Sequence, residues 1–225
     1  MFLRFIKRLE DLFFSLLTIV IFYPILIPVI IIYIFSEGFP VFYISKRVIG
    51  KDKKVTIVKF RTMVKDAKSE KYQLEKKYMK DGYLDIPLDS EVFTPIGRIL
   101  EKTQFVELPQ VINILFGSMS FIGNRPLPGR NIMLLKEKFP NKWEERFDSP
   151  SGMTGISQVV GKFKLSPEKR LDLEVLYSKV YKEGNILKAD AYIFFSTIIL
   201  LLLKDAVAYR SYDSAKKVLQ SCLNK

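Results

Sequence analysis

The sequence predicts a helix-rich α+β protein: an N-terminal membrane-associated helix followed by one small globular domain. Three observations carry this. Leu12 to Phe35 is a run of 24 residues without a charge, long enough to cross a hydrocarbon core of about 30 Å as a helix. Later apolar residues recur at helical spacing, as Phe105, Leu108, Val111, Ile112 and Leu115 do. One stretch, "KKVTIVKFRTM", instead alternates apolar and polar residues in the manner of a strand. The divisions that follow are 1–45 for a proline-broken membrane helix, 46–210 for the domain and 211–225 for a C-terminal tail.

Within the membrane run Pro24 and Pro28 each remove a backbone hydrogen bond, so a break is expected at Tyr23 and Pro24. Basic residues stand on both sides, Arg4, Lys7 and Arg8 before it and Lys46, Arg47, Lys51, Lys53 and Lys54 after it. The positive-inside rule therefore gives no orientation. Two arrangements stay open, a kinked spanning helix and a helix that bends back to the face it entered. A cleaved signal peptide fits poorly, because the run is too long and lacks a small-residue cleavage site.

Further along, "KDAKSEKYQLEKKYMKDGY" reads as a solvated helix ending at Asp81-Gly82. "PLDSEVFTPIGRILEKTQ" reads as a turn and a short helix. A helix is expected from about Phe105 to Phe116, with Pro109 in its first turn and Gly117 as its stop. "GSMSFIGNRPLPGRN" is an ordered loop and "SPSGMTGISQVVGKF" a glycine-rich turn and strand. Ser166-Pro167-Glu168 opens another helix. The apolar run from Ala191 to Leu203, 13 residues, is too short to span and is expected as a buried or interfacial helix.

Lys and Arg number 36 against 24 for Asp and Glu, a net charge of +12, so anionic partners are expected: phosphorylated substrates, nucleic acid or acidic lipid headgroups. Nucleic acid is disfavoured, since most of the 18 phenylalanines lie in apolar runs rather than interleaved with a basic stripe. The absence of histidine excludes Ser-His-Asp and Cys-His nucleophile arrangements. Cys222 is the single cysteine, which excludes an intrachain disulfide. Glu107, at a helix start, gains about 0.3–1 kcal/mol from the helix dipole alone. Arg125, fixed beside Pro126, suits a bidentate contact with phosphate oxygens.

Several pieces in order carry a resemblance: Lys7-Arg8 with Asp11, the proline-broken run, "GFPVFY", "KFRTM" with Asp66-Ala67, and "TPIGRILEKT". After them come "ELPQVINILFGSMSFIGNRPLP", "GMTGISQVVGK" and the Leu173, Tyr177, Asp190 pattern. Together they make the sequence, from about Lys7 to Leu203, resemble the bacterial sugar transferase family of monotopic polyprenyl-phosphate phosphoglycosyl transferases. The resemblance implies a reentrant helix in the bacterial inner membrane and a catalytic domain on its cytoplasmic face, seated by interfacial amphipathic helices. It also implies the reaction, transfer of a sugar 1-phosphate from a UDP-sugar to undecaprenyl phosphate with release of UMP. Magnesium is the implied cofactor, membrane lipids are implied partners, and homo-oligomerisation is left open.

Carried onto this sequence, the resemblance puts catalytic roles on Glu107 and Arg125, metal binding on Glu107, and substrate binding on Lys59, Arg61, Gln110, Asn124 and Arg125. The family's adjacent Asp-Glu dyad uses the Asp as nucleophile and the Glu as magnesium ligand. Here Val106 stands at the Asp position, and a valine cannot form an acyl phosphate. Glu101 stands where an arginine is usual; Tyr23, Ser151 and Glu174 replace the usual serine, proline and aspartate. Two readings follow: an active transferase, or a catalytically inactive homologue acting as a membrane scaffold or lipid-phosphate-binding partner.

Overall fold

The computed structural model describes residues 2–161, 165–203 and 209–223. Lys162 of the "GMTGISQVVGK" motif and residues 204–208, ahead of the boundary expected at 210, lie outside the described residues.

Helix α1, Phe2–Glu37, runs through both Pro24 and Pro28, so the break expected at Tyr23-Pro24 does not interrupt it. Each proline forgoes one hydrogen bond, but the flanking turns persist and Leu26 and Tyr33 pack on the domain just beyond. Lys7, Asp11, Ser15, Thr18, Leu26 and Tyr33 are buried, a stripe at helical spacing. Phe13, Val20, Ile27 and Phe35 are exposed on other faces. From residue 7 to residue 33 a helix covers about 39 Å, so α1 lies along the domain rather than projecting from it.

Both ends of α1 are fastened. Near its start Lys7 Nζ donates to Asp190 Oδ2 at 2.5 Å and to the Ile122 carbonyl at 3.0 Å. Asp11 Oδ1 accepts from Ser120 Oγ and from the Phe121 N–H, both at 2.8 Å. At the other end the Tyr33 hydroxyl donates to the Arg61 carbonyl at 2.6 Å.

Strands β1, Phe42–Val48, and β2, Lys54–Phe60, form an antiparallel hairpin in which Tyr43 faces Lys59 and Arg47 faces Val55. Opposed residues share a face, and alternate residues return to it. Arg47 and Lys59 therefore stand on one face with Ile57 between them. The lysine-rich segment beyond β2 departs from expectation: only Leu74–Tyr78 is helical (α2). The rest turns into the short hairpin β3, Met79–Lys80, and β4, Tyr83–Leu84. Asp81 and Gly82 at its tip have φ of 50° and 81°, a left-handed pair that turns a hairpin instead of ending a helix.

Helix α3, Pro95–Thr103, is capped by Thr94, whose Oγ1 accepts from the Gly97 N–H at 3.0 Å. The single helix expected at 105–116 is two pieces, a 3-10 helix Phe105–Gln110 and then α4, Val111–Leu115. Pro109, without an N–H, falls inside the tighter piece. Gly117, with φ of 74°, stops the helix as expected.

Strand β5, Ser120–Ile122, pairs in parallel with β6, Gly152–Thr154. A side chain at Gly152 would sit 2.1 Å from the Gly123 nitrogen, so the two strands approach as bare backbone. Between them runs α5, Gly129–Lys138, and after β6 comes α6, Ile156–Val160, where a strand was expected to end the segment. Helix α7, Pro167–Glu183, is opened by Ser166, whose Oγ accepts from the Lys169 N–H. Helix α8 spans Ile186–Leu203, 18 residues rather than the expected 13, and by length and composition is apolar enough to cross a membrane. Its Ile186, Ala189 and Ile193 enter the core while Phe195, Leu202 and Leu203 are exposed.

The main core joins Ile122, Ile156, Val159, Leu173, Tyr177 and Ile193 with Ala215, Leu219 and Cys222 of α9, Tyr212–Leu223. Residues expected as a tail thus form a docked helix, and the Cys222 thiol is buried.

Candidate active site

Successive residues of the 3-10 helix point about 120° apart. Val106 and Leu108 join Leu26, Tyr33, Val41 and Phe60 in an apolar cluster against α1. Glu107, between them, turns toward the β1–β2 hairpin. Lys59 Nζ donates to Glu107 Oε1 at 2.6 Å. Arg125 donates from NH2 to Oε1 and from NH1 to Oε2, the latter at 3.1 Å. The carboxylate is thus gripped by two cations, with its side chain 13% exposed. Burial opposes its ionisation, but the charges and hydrogen bonds of Arg125 and Lys59 outweigh that and hold its carboxyl well below the usual range. Burial pushes the Lys59 ammonium down, with Arg125 adding to the effect.

This triad borders a cavity of about 290 Å³ whose lining includes Arg47, Lys59, Tyr83, Gln110, Arg125 and Arg170. No acidic side chain is among its lining residues. Burial, and after it the neighbouring Arg125, push the Arg47 guanidinium down, with Tyr43 and Glu107 partly offsetting them. Gln110 is 2% exposed and its Nε2 lacks a hydrogen-bond partner, as does Nε of Arg170, whose guanidinium lies 4.2 Å from the Tyr83 ring centroid. These groups are donors that await an acceptor.

A larger cavity, about 420 Å³, opens beside the start of α1. Of its charged lining, Lys7 and Asp11 are paired as described, Arg8 donates to the carbonyls of Ile114 and Leu115 at 2.6 and 2.7 Å, and Asp148 pairs with Lys182. The smaller one holds Lys59 and Arg125, the partners of Glu107.

Of the residues expected to bind substrate, Lys59, Gln110 and Arg125 meet at the cavity and two do not. Arg61 donates to the carbonyls of Pro40, Met63, Glu37 and Gly38. It clamps the end of α1, where carbonyls have no helical partners and a cation is favoured, and so is not free for a substrate. Asn124 is 2% exposed. Its Nδ2 lies within 2.9–3.1 Å of the carbonyls of Arg146 and Glu174 and the hydroxyls of Ser149 and Ser178. It fixes the turn that aims Arg125, a positioning role in place of a ligand contact. Glu101 accepts from Thr62 Oγ1 at 3.0 Å. Tyr23 and Pro24 lie on α1, outside the cavity.

Arg47, Tyr83 and Arg170 were missed. Arg170 had a signal: it lies one turn before Glu174 and two before Tyr177 and Ser178 on the buried stripe of α7, where a charge needs a reason. Arg47 shares a face with Lys59 only through the hairpin register, and Tyr83 reaches the site only because Asp81-Gly82 is a turn.

As it stands, the arrangement can bind a polyanion, hold a carboxylate ionised, and exchange that carboxylate for phosphate oxygens on Arg125 and Lys59. For magnesium the fit is limited but real. Among the described residues no cluster of three metal-binding side chains exists, yet one carboxylate plus substrate phosphates is an accepted donor set for this ion. Glu107 is the carboxylate that would supply it, once released by Lys59 and Arg125.

Comparison with curated proteins finds a "UDP-galactose-lipid carrier transferase" of Erwinia amylovora, 31% identical over 90% of this chain and 41% of that protein. The "Uncharacterized sugar transferase EpsL" of Bacillus subtilis is 30% identical over 76% of this chain and 77% of that protein. An "Undecaprenyl-phosphate galactose phosphotransferase" of Salmonella typhimurium is 28% identical over 90% of this chain and 41% of its own length. The chain thus spans less than half of two of these relatives. The family described as bacterial sugar transferase matches residues 2–204, a range that holds α1, the Glu107 triad and the cation-lined cavity, and the chain belongs to that family.

Proposed function

We propose that the chain transfers a sugar 1-phosphate from a UDP-sugar to undecaprenyl phosphate, a first membrane step in making a surface polysaccharide or glycoconjugate. The observation that carries this is the cavity: Arg47, Lys59, Arg125 and Arg170 around a space, with Glu107 gripped by Lys59 and Arg125 at its edge. Two phosphorylated substrates repel one another, and fixed cations offset that repulsion where they must meet. Arg125 would hold the diphosphate bidentately, Lys59 and Arg47 would neutralise it, and Gln110 would donate the hydrogen bond its Nε2 now lacks. Magnesium, when bound, would be held by Glu107 and the diphosphate and would draw charge from the leaving phosphate. Glu107 would first have to leave Arg125.

We also assign the chain to the bacterial inner membrane, with the domain on the cytoplasmic face and α1 reentrant in one leaflet. Support comes from the fastening of both ends of α1 to the same domain and from the apolar exposed faces of α1 and α8.

The test uses the full chain in detergent with magnesium, undecaprenyl phosphate and a panel of UDP-sugars, following UMP release. Lipid-dependent release is expected, and Arg125→Met should raise KM for the UDP-sugar at least about tenfold, as loss of a bidentate charged contact worth about 1.5–3 kcal/mol requires. The scaffold reading is favoured by Val106, buried where a nucleophile would be needed. No release with any sugar, together with retained binding of undecaprenyl phosphate, would select it.

A further inference from the structure

The cavity is rich in cations and poor in nucleophiles. Its lining carries no Asp, Glu, Ser, Thr or Cys. Lys59 is spent on Glu107 as an ammonium donor. Burial pushes the Tyr83 phenol up, so its hydroxyl keeps its proton. Glu107 is the remaining acid in reach, and both its oxygens are taken, Oε1 by Lys59 and Arg125 and Oε2 by Arg125 again. An attack by Glu107 would need it to give up both cations to the substrate phosphates, and the carboxylate so released is the one that would hold magnesium. Its neighbour, Val106, has no lone pair and is packed 4% exposed against α1.

The charge count points the same way. Among these groups, Arg47, Lys59, Arg125 and Arg170 against Glu107 give a surplus of three positive charges. A diphosphate diester brings two negative charges and a phosphate monoester about 1.5–2 more. Either alone leaves the cavity positive, and both together, about 3.5–4 negative charges, slightly exceed its surplus before a divalent cation is counted.

We propose that, in this chain, both phosphorylated substrates occupy the cation-lined cavity together and the sugar phosphate passes directly from one to the other, with no covalent enzyme intermediate. The proposal rests on the transferase reading above. An ionised oxygen of the lipid phosphate forms a bond to the phosphorus that carries the sugar, as the bond from that phosphorus to the bridging oxygen breaks. UMP leaves with the bridging oxygen and the electron pair. No proton moves, and the net charge of substrates and products is the same. Glu107 acts as the counter-ion that keeps Arg125 and Lys59 in place between turnovers.

The experiment is isotope exchange on the unmodified full chain. The protein is incubated with magnesium, labelled UMP and, in turn, UDP-galactose, UDP-N-acetylgalactosamine and UDP-glucose, with and without undecaprenyl phosphate. Direct transfer predicts no label entering the UDP-sugar without lipid, UMP release with lipid, and intersecting initial-rate lines when both substrates are varied. Label exchange without lipid, or a sugar-phosphate adduct on the protein by mass spectrometry after acid quenching, would overturn the proposal while leaving the transferase reading intact. Absence of UMP release with lipid for every sugar would remove the transferase reading, and the direct-transfer proposal with it.

Discussion

Glu107 stands between two cations with little access to water, so its ionisation is tied to folding. Its carboxyl lies well below the usual range in the folded chain and near 4.3 or so when unfolded. A depressed acid contributes stability that is present above the unfolded value and lost as pH falls through the folded one. Glu107→Gln is therefore expected to destabilise the protein near neutral pH by on the order of 2–3 kcal/mol, since it leaves Lys59 and Arg125 half-paired. The gap between wild type and variant should narrow as unfolding is followed from about pH 7 down to about pH 3. A gap independent of pH would show that the carboxylate contributes packing alone. At this scale the sequence was informative about chemistry and poor about direction. Glu107, Lys59 and Arg125 belong to short motifs whose residue types suit phosphate. The same motifs contain Arg61 and Asn124, equally polar, and nothing in their order says that one faces the end of α1 and the other the buried turn beneath Arg125.

Between elements, the Lys7–Asp190 pair joins the start of α1 to α8, with both side chains at most 5% exposed. Tyr177 adds a 2.7 Å hydrogen bond to the same carboxylate. Removing one partner of a buried pair costs about 3–5 kcal/mol, whereas replacing both with apolar groups is often near neutral. Lys7→Met should accordingly lower the unfolding midpoint in detergent sharply, and Lys7→Met with Asp190→Leu should recover much of the loss. Equal loss in the single and double variants would show that the pair is more than an electrostatic clasp. Elements with local signals were legible: α3 from Thr94 and Pro95, α7 from Ser166 and Pro167, β2 from its alternation. The β3–β4 hairpin was not, because "KKYMKDGYL" is rich in helix formers and the outcome turns on two positive φ angles at Asp81 and Gly82. Nor was the 3-10 segment, where Pro109 and the left-handed Gln104 (φ 62°) tighten a pattern whose spacing still reads as α-helical.

For the whole molecule, the apolar run was legible as one long apolar helix from its length, but its course was not, since two prolines and symmetrical basic flanks suit either arrangement. The stripe from Lys7 to Tyr33 adds that one face of α1 follows the domain throughout. Single cysteines introduced at Arg4 and Lys46, in a Cys222→Ser background, should both react with an impermeant thiol reagent from the same side of sealed vesicles. Labelling from opposite sides would exclude the one-leaflet arrangement. A further consequence concerns search rather than binding. Val106, packed in the α1 cluster, and Glu107, held by the cation pair, are consecutive residues, so with α1 seated in one leaflet as proposed the cavity would keep a fixed height above the bilayer. A phosphate confined to the bilayer surface would then meet the cations by lateral diffusion in two dimensions, while its soluble partner arrives from the third.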